Sequence, residues 1–476
     1  MGAGIALSLG VCTGLGGPKW GLIATLLLVS AAAFALHLRF VLFVLAAIAP
    51  LQVTIDVPGF GIQPTMIAGL AVFAICLGAI AKSGRVKRDP SRLGLLLSAF
   101  FVLAVLDSVL GIWPRWSVTR IIHLWTYLGL FLSTLWLLRG TEDAMRLVRL
   151  IIAAAVIVGL IGAALHSMQF VVGQRPARQM FMYGLAPVIL GAKRAASFEV
   201  STVWYAGVED APVRAGGPFF WPFMFAMYLE MTLPLLLARI AFVSRAKPAW
   251  WHVAGAVVLI FCVAATYVRG AWVTFPFAAA AWYAAKRAGL RPRRAVVWLF
   301  IGAIFFLFLS SSLLGRGALW TRLRATWQPD YYSNAARLRT LASGARLVIE
   351  HPVTGVGPGN FWSAVSDTPP GELAKPNTNA DNLYMTVASE MGLLGLACLV
   401  LLLIRLIWCA AQVARQSQDE AVKAVAVGLV GAFVWVSLNS ITADCLYEHR
   451  LFAVFWILAG VVAVLYRSVR QSAAAP

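Results

Sequence analysis

The sequence predicts an all-α polytopic membrane protein with about 12–13 transmembrane helices. Three observations predict it. Of 476 residues, 61% are hydrophobic and only 12% are charged. The apolar residues fall into runs of about 20, enough for a helix rising about 1.5 Å per residue to cross a ~30 Å hydrocarbon core. The period-2 alternation of a membrane β-barrel is missing, which leaves helices to satisfy the backbone in lipid.

The apolar runs are 20–36, 40–57, 62–82, 93–112, 117–138, 147–172, 219–243, 250–268, 270–286, 295–314, 383–408, 423–443 and 450–467. They divide the chain into N-terminal transmembrane helices (1–172), an extracytoplasmic loop (173–217) and central transmembrane helices (218–314). A large extracytoplasmic loop (315–382) and C-terminal transmembrane helices with a short tail (383–476) follow.

The net charge of +20 would point to nucleic acid in a soluble chain, but its distribution explains it better. Short connections rich in Lys and Arg stay cytoplasmic. Placing the Lys82–Arg92 block inside also puts 139–146, 239–249, 286–294 and the Arg405–Lys423 connection inside, and all are basic. The same alternation puts 173–217, the turn at Arg269 and 315–382 outside. No nucleic-acid partner is expected. The six cysteines are scattered without a CxxC pair, so neither a metal centre nor a disulfide framework is expected.

The outer loops keep arginines against this bias. Loop 173–217 has five basic residues against three acids, and 315–382 has seven against five, interleaved with Trp320, Trp327, Tyr331, Tyr332 and Trp362. Headgroup contact by interfacial arginines and aromatics accounts for part of this.

Four stretches carry candidate chemistry. Arg269 lies between two apolar runs with almost no loop, where a guanidinium is costly unless paired or facing a polar cavity. It reads as an anion clamp, or as a side chain snorkelling to the boundary. Arg337 and Arg346 lie on a stretch, Asn334 to Val348, whose apolar Leu338, Leu341, Ala345 and Val348 recur at helical spacing. That predicts a short amphipathic helix on the membrane surface. Gly355-Val-Gly357-Pro-Gly359-Asn360 lacks the Lys-Ser/Thr of a phosphate-binding loop and reads as a tight turn whose glycines allow positive φ. Asp381-Asn382 precede the run 383–408, where they serve as helix-capping residues or place a carboxylate base at the membrane surface. Within the spans, Asp107, Glu230 and Glu390 are the acids a proton-coupled transporter would need.

Taken in order, these elements resemble the O-antigen ligase and Wzy polymerase superfamily of bacterial inner-membrane glycosyltransferases. The resemblance rests on Arg214-Ala-Gly-Gly-Pro before a middle span and on Thr266 to Trp272 around Arg269. It rests also on Arg337-x3-Leu341, on His351-Pro-x-x-Gly-x-Gly-x-Gly-Asn-Phe361, and on Asn382 followed by nine residues and Gly392-x-x-Gly395. Where the ligases carry His, this chain carries Asp381.

The resemblance implies a GT-C-like fold. It also implies a metal-independent, cofactor-free transfer of a glycan from a polyprenyl (undecaprenyl) diphosphate-linked oligosaccharide donor to a glycan acceptor. The active site would face the periplasm from the inner membrane. Arg269 and Arg337 become the expected diphosphate clamps, with Arg214, Arg346 and Asn382 as further donor-binding residues and Asp381 as the base. The alternative is a multispan transporter of a small anion or a lipid-linked precursor, which predicts internal repeats and broken spans.

Overall fold

A computed structural model describes residues 38–51, 55–57, 60–62, 64–83, 89–180, 214–219, 221–243, 250–286, 332–366, 380–444 and 448–474, with the isolated positions 324 and 328. The apolar runs 20–36 and 295–314, and most of the loop 173–217, lie outside these residues. So do Trp320, Trp327 and Tyr331.

The described chain is helical apart from one small hairpin. The helices are α1 (Leu38–Ile48), α2 (Pro64–Ser83), α3 (Leu93–Leu110), α4 (Pro114–Leu137), α5 (Thr141–Val172), α6 (Gln174–Gln179), α7 (Pro222–Phe242), α8 (Trp250–Ala265) and α9 (Arg269–Lys286). They continue with α10 (Tyr332–Glu350), α11 (Phe361–Ser366), α12 (Leu383–Gln416), α13 (Glu420–Asn439) and α14 (His449–Ala474). Among the described residues, seven helices are long and apolar enough to cross a membrane: α3, α4, α5, α7, α12, α13 and α14. The protein is thus an all-α, multi-pass membrane protein.

The run 40–57 is corrected. It does not form one span: α1 has 11 residues, about 16 Å of helix. It then tightens into a 3-10 turn (Ala49–Leu51), and the chain enters an antiparallel hairpin of β1 (Ile55–Val57) and β2 (Phe60–Ile62). Pro50 removes the backbone donor that would continue the helix, which ends it inside an apolar sequence. Other ends shift as well. Helix α5 starts at Thr141, its first turn carrying Glu142 and Asp143, which favour a helix N-terminus.

Burial sorts the helices. Helices α7 and α14 are buried on nearly every face and form the middle of the bundle. Helix α3 leaves Leu95, Val102, Leu106 and Val109 exposed, and α12 leaves Leu394, Leu401, Ile404 and Trp408 exposed, each at helical spacing. Apolar stripes of this kind face lipid. Lipid tails are as apolar as the side chains, so specific contacts fix the neighbours. Arg405 on α12 donates through Nε to the Ser91 carbonyl at 2.8 Å. Arg39 on α1 pairs with Asp143 on α5 at 3.0 Å.

Candidate active site

The site is organised by a break in α12. Gly392 has φ 65° and ψ −175°, non-helical angles inside a 34-residue helix. The break leaves the carbonyls of Ser389 and Glu390 without the donors four residues on. The glycine turn fills the gap with its own backbone. Val356 N donates to Ser389 O and Gly357 N to Glu390 O, both at 2.9 Å, while the freed Leu393 N donates to Pro352 O at 2.8 Å.

Such interrupted helices persist at membrane depth only when other groups re-satisfy the backbone. A Cβ on Gly392 would collide with Val353 O, and one on Gly355 would collide with the Glu390 carbonyl carbon. Gly355, Gly357 and Gly359 have φ 63°, 93° and 80°, the conformation expected of this turn. On its far side, Ile112 N donates to Val356 O at 3.0 Å, and Asn360 Nδ2 donates to Ser117 Oγ at 3.2 Å. Glu390 is enclosed beneath the turn, accepting from Phe361 N at 3.4 Å.

The short helical piece before the break carries Asp381 and Asn382 at its start. Asn382 is the N-cap: its side-chain oxygen accepts from Met385 N at 2.9 Å. Its Nδ2 donates to Ile441 O at 2.8 Å, and Leu383 N donates to Ser440 O at 2.9 Å. Asp381 has φ 53°. A left-handed backbone at a residue with a Cβ costs about 1–2 kcal/mol and recurs at functional sites. Its carboxyl is open to solvent on one side, yet protein crowds the other. That desolvation raises its pKa above the ordinary carboxylate value, and the charge of Arg337 nearby offsets part of the rise.

Arg337 sits on α10, which packs on α12. The apolar Leu338, Leu341, Ala345 and Val348 are exposed or half-buried, and the line buried against the protein is Thr340, Gly344 and Leu347. Leu338 is 57% exposed. Gly344 lies against Met385, and Leu347 joins Val356, Phe361 and Ala380 in a small core. A polar, a small and an apolar residue thus make the contact with the protein. Arg346 is not brought to Asp381. It lies about 14 Å further along the helix and about half a turn round from Arg337. It pairs with Glu350 at 2.7 Å on the exposed surface.

Arg269 opens α9 after a turn of only three residues, in which Tyr267 has φ 51°. The arginine is 8% exposed, and its Nη2 donates to Asn334 Oδ1 at 2.8 Å. Asn334 and Arg337 are three apart on α10 and share a face. Arg214 joins at the same turn. Its Nε donates to Thr266 O at 2.8 Å, beside Ala215 N to Ala265 O at 2.7 Å.

Arg450 holds the next part of that segment. It is 1% exposed, paired with Glu448 at 2.7 Å, and donates to Pro218 O at 3.2 Å and Phe219 O at 3.4 Å. Glu448-His449-Arg450 therefore act as a packed anchor.

Arg214, Arg269, Arg337, Asp381 and Asn382 thus come together from four chain segments at one end of the bundle. Sequence reasoning missed Asn334, the partner of Arg269, and Asn439 with Thr442, which lie under the Arg269 turn. Neutral amides and hydroxyls near helix ends are too common to stand out. Among the described residues, no three His, Cys, Asp or Glu side chains gather into a metal-holding group.

Fold and site together define a multi-pass helical membrane protein with a cationic, carboxylate-bearing site at the end of its bundle. Residues 254–400, from α8 into α12, match the Wzy_C family model, described as O-Antigen ligase, which supports the O-antigen ligase/Wzy-like superfamily for this chain. The match spans Arg269, Arg337 and Asp381. The family implies a glycosyltransferase-like membrane enzyme acting on a lipid-linked glycan donor and a glycan acceptor. No curated protein matches the chain.

Proposed function

We propose that this protein transfers a glycan from polyprenyl (undecaprenyl) diphosphate to an acceptor hydroxyl on the outer face of the bacterial inner membrane. The step belongs to O-antigen or exopolysaccharide assembly and needs no metal. The observation that carries the reading is the linkage of Arg269 through Asn334 to the helix of Arg337, whose charge bears on Asp381.

The acceptor oxygen attacks the anomeric carbon. The bond from that carbon to the diphosphate oxygen breaks, and its electron pair leaves on polyprenyl diphosphate. The acceptor proton passes to Asp381. Negative charge grows on the leaving oxygen, and Arg269 and Arg337, with Arg214 beside them, stabilise it more than they stabilise the ground state. Arginine suits the task because its planar fork stays charged and binds phosphate oxygens in pairs. The raised pKa of Asp381 makes it a stronger base than a free carboxylate. Asp381 at the position of the ligase His favours a polymerase over a ligase.

The transporter alternative draws on the broken α12 and the buried Asp107, Glu230 and Glu390. The glycosyltransferase reading is favoured because backbone from 352–357 fills the break and the arginines gather around a carboxylate.

The test uses purified protein in nanodiscs with an undecaprenyl-diphosphate-linked oligosaccharide. Release of polyprenyl diphosphate by the wild type, unaffected by EDTA and lost in Arg269→Ala, Arg337→Ala and Asp381→Ala, is the expected result. Product length then separates polymerase from ligase. Folded protein that never releases diphosphate, or three variants that match the wild type, would overturn the reading.

A further inference from the structure

The two halves of the site lie on separate polypeptide segments. Arg269 opens α9, and Asp381-Asn382 precede α12. Both rest on the same third element, the end of α13 and the turn after it. On one side, Asn382 Nδ2 donates to Ile441 O at 2.8 Å, Leu383 N to Ser440 O at 2.9 Å, and Tyr384 Oη to Ser437 O at 2.8 Å. On the other, Trp435 Nε1 donates to Ala271 O at 3.0 Å, and Gly270 is pressed against the side chains of Asn439 and Thr442. A Cβ at position 270 would collide with Asn439 Oδ1 and Thr442 Oγ1, so the Arg-Gly turn approaches α13 as closely as a backbone can.

Asn439 is the centre of this junction and is fully buried. Its amide is held at both ends. Nδ2 donates to Glu230 Oε1 on α7 at 2.7 Å, and Oδ1 accepts from Thr442 Oγ1 at 3.0 Å. Glu230 is itself at zero exposure in the middle of the bundle. A buried polar chain of this kind is strongly directional, because each member loses its partner if the amide turns.

We infer that Asn439, oriented by Glu230, is the positioning residue that fixes the Arg269 turn relative to Asp381 and Asn382. The inference rests on the proposed glycosyl transfer for its kinetic arm. Asn439 itself touches neither donor nor acceptor. It sets how far the cationic clamp stands from the base, and misplacement by about 1 Å can cost about a hundredfold in rate. The loss falls on the transition state, which needs clamp and base at once, more than on donor binding, which needs the clamp alone.

The experiment compares wild type with Asn439→Leu, Glu230→Leu and Glu230→Gln in nanodiscs. Two readouts are taken, diphosphate-release kinetics and backbone hydrogen exchange. Asn439→Leu and Glu230→Leu are expected to lower kcat by about tenfold or more with the donor KM within about twofold. Glu230→Gln keeps an acceptor oxygen for Asn439 and is expected to stay within about threefold of wild type. Exchange in both leucine variants is expected to rise in 266–272 and 381–386 and to stay unchanged in α5.

Wild-type kcat in Asn439→Leu, a Glu230→Gln as damaged as Glu230→Leu, or faster exchange spread evenly through the chain would overturn the inference. If the wild type releases no diphosphate, the glycosyltransferase reading fails. The exchange arm then decides alone: a rise confined to the two segments supports the coupling, and no rise removes it.

Discussion

Arg269 Nη2 donates to Asn334 Oδ1 at 2.8 Å, across 65 residues of chain, and this bond ties the first turn of α9 to the start of α10. Asn334 spends its other group on Gln328 O at 2.7 Å, so its amide is oriented from both sides. Arg337 follows one turn later on the same helix. The guanidinium between α8 and α9 thus bears on where the second guanidinium stands.

Replacing Asn334 tests that dependence. Asn334→Leu removes the acceptor without shortening the side chain much, and a charge-assisted hydrogen bond is worth about 1.5–3 kcal/mol. We expect turnover to fall by about ten- to a hundredfold, with thermal stability little changed because α10 still packs through Gly344 and Leu347. Asn334→Asp keeps an acceptor and should recover most of the turnover. Steady-state kinetics beside thermal unfolding of both variants checks this.

The pH profile follows from Asp381. The proposed base works ionised, so turnover is expected to rise with pH through a pKa that lies above the ordinary carboxylate value. Arg337 lowers that pKa, so Arg337→Gln should move the acid limb of kcat to higher pH as well as reduce its height. An acid limb that stays in place in Arg337→Gln would show that another group titrates.

Asp381 also links activity to stability with opposite signs. Its folded pKa is raised, so ionising it costs the folded state free energy. That cost is absent below the unfolded pKa and fully present above the folded one. Asp381→Asn removes the charge and keeps a residue that tolerates the left-handed backbone at φ 53°. The expected outcome at neutral pH is a variant without turnover whose Tm is equal to or above that of the wild type. A lower Tm would mean that the carboxylate holds the fold.

Gly392 is the position where a single methyl should do most damage. Gly392→Ala combines φ 65°, ψ −175° with a clash against Val353 O, and a strained backbone of this type costs about 1–3 kcal/mol before the clash is counted. Gly78→Ala is the control, since nothing lies within 4 Å of its Cβ and alanine favours a helix interior by about 1 kcal/mol. Thermal unfolding should show a lowered Tm for the first and none for the second, with turnover lost in the first alone.

Arg346→Ala separates a basic helix surface from a site. Its partner Glu350 is one turn away, and both side chains are largely exposed. Exposed pairs at this spacing contribute little, so turnover should stay within about twofold of wild type. A large loss would extend the donor site along α10.

The chain's spans were mostly legible in sequence because the length of an apolar run is a local property that one helix expresses alone. Where the reading failed, a neighbour or the backbone intervened. The run 40–57 is apolar enough for a span, but Pro50 stops the helix after 11 residues. On α10, period marked an apolar face of Leu338, Leu341, Ala345 and Val348, but it did not mark the line that packs on the protein, Thr340, Gly344 and Leu347, where Gly344 lies against Met385. Apolar side chains beside a membrane need not face the protein, so hydrophobicity no longer says which way is in.

Arg269, Arg337 and Asp381 stood out in the sequence because charges beside or between spans are costly without a purpose. That they meet was decided by tertiary structure, through a break in α12 filled by a distant turn and through Asn334. Sequence by itself determined a helical membrane protein with arginines retained in its long polar loops, since transfer free energy and helix length depend on composition over about 20 residues. Only the folded chain decided which arginine faces the carboxylate, which one pairs on the surface, and which acid lies enclosed beneath the turn. Those outcomes depend on hydrogen-bond geometry between segments tens to hundreds of residues apart, and no local pattern encodes that.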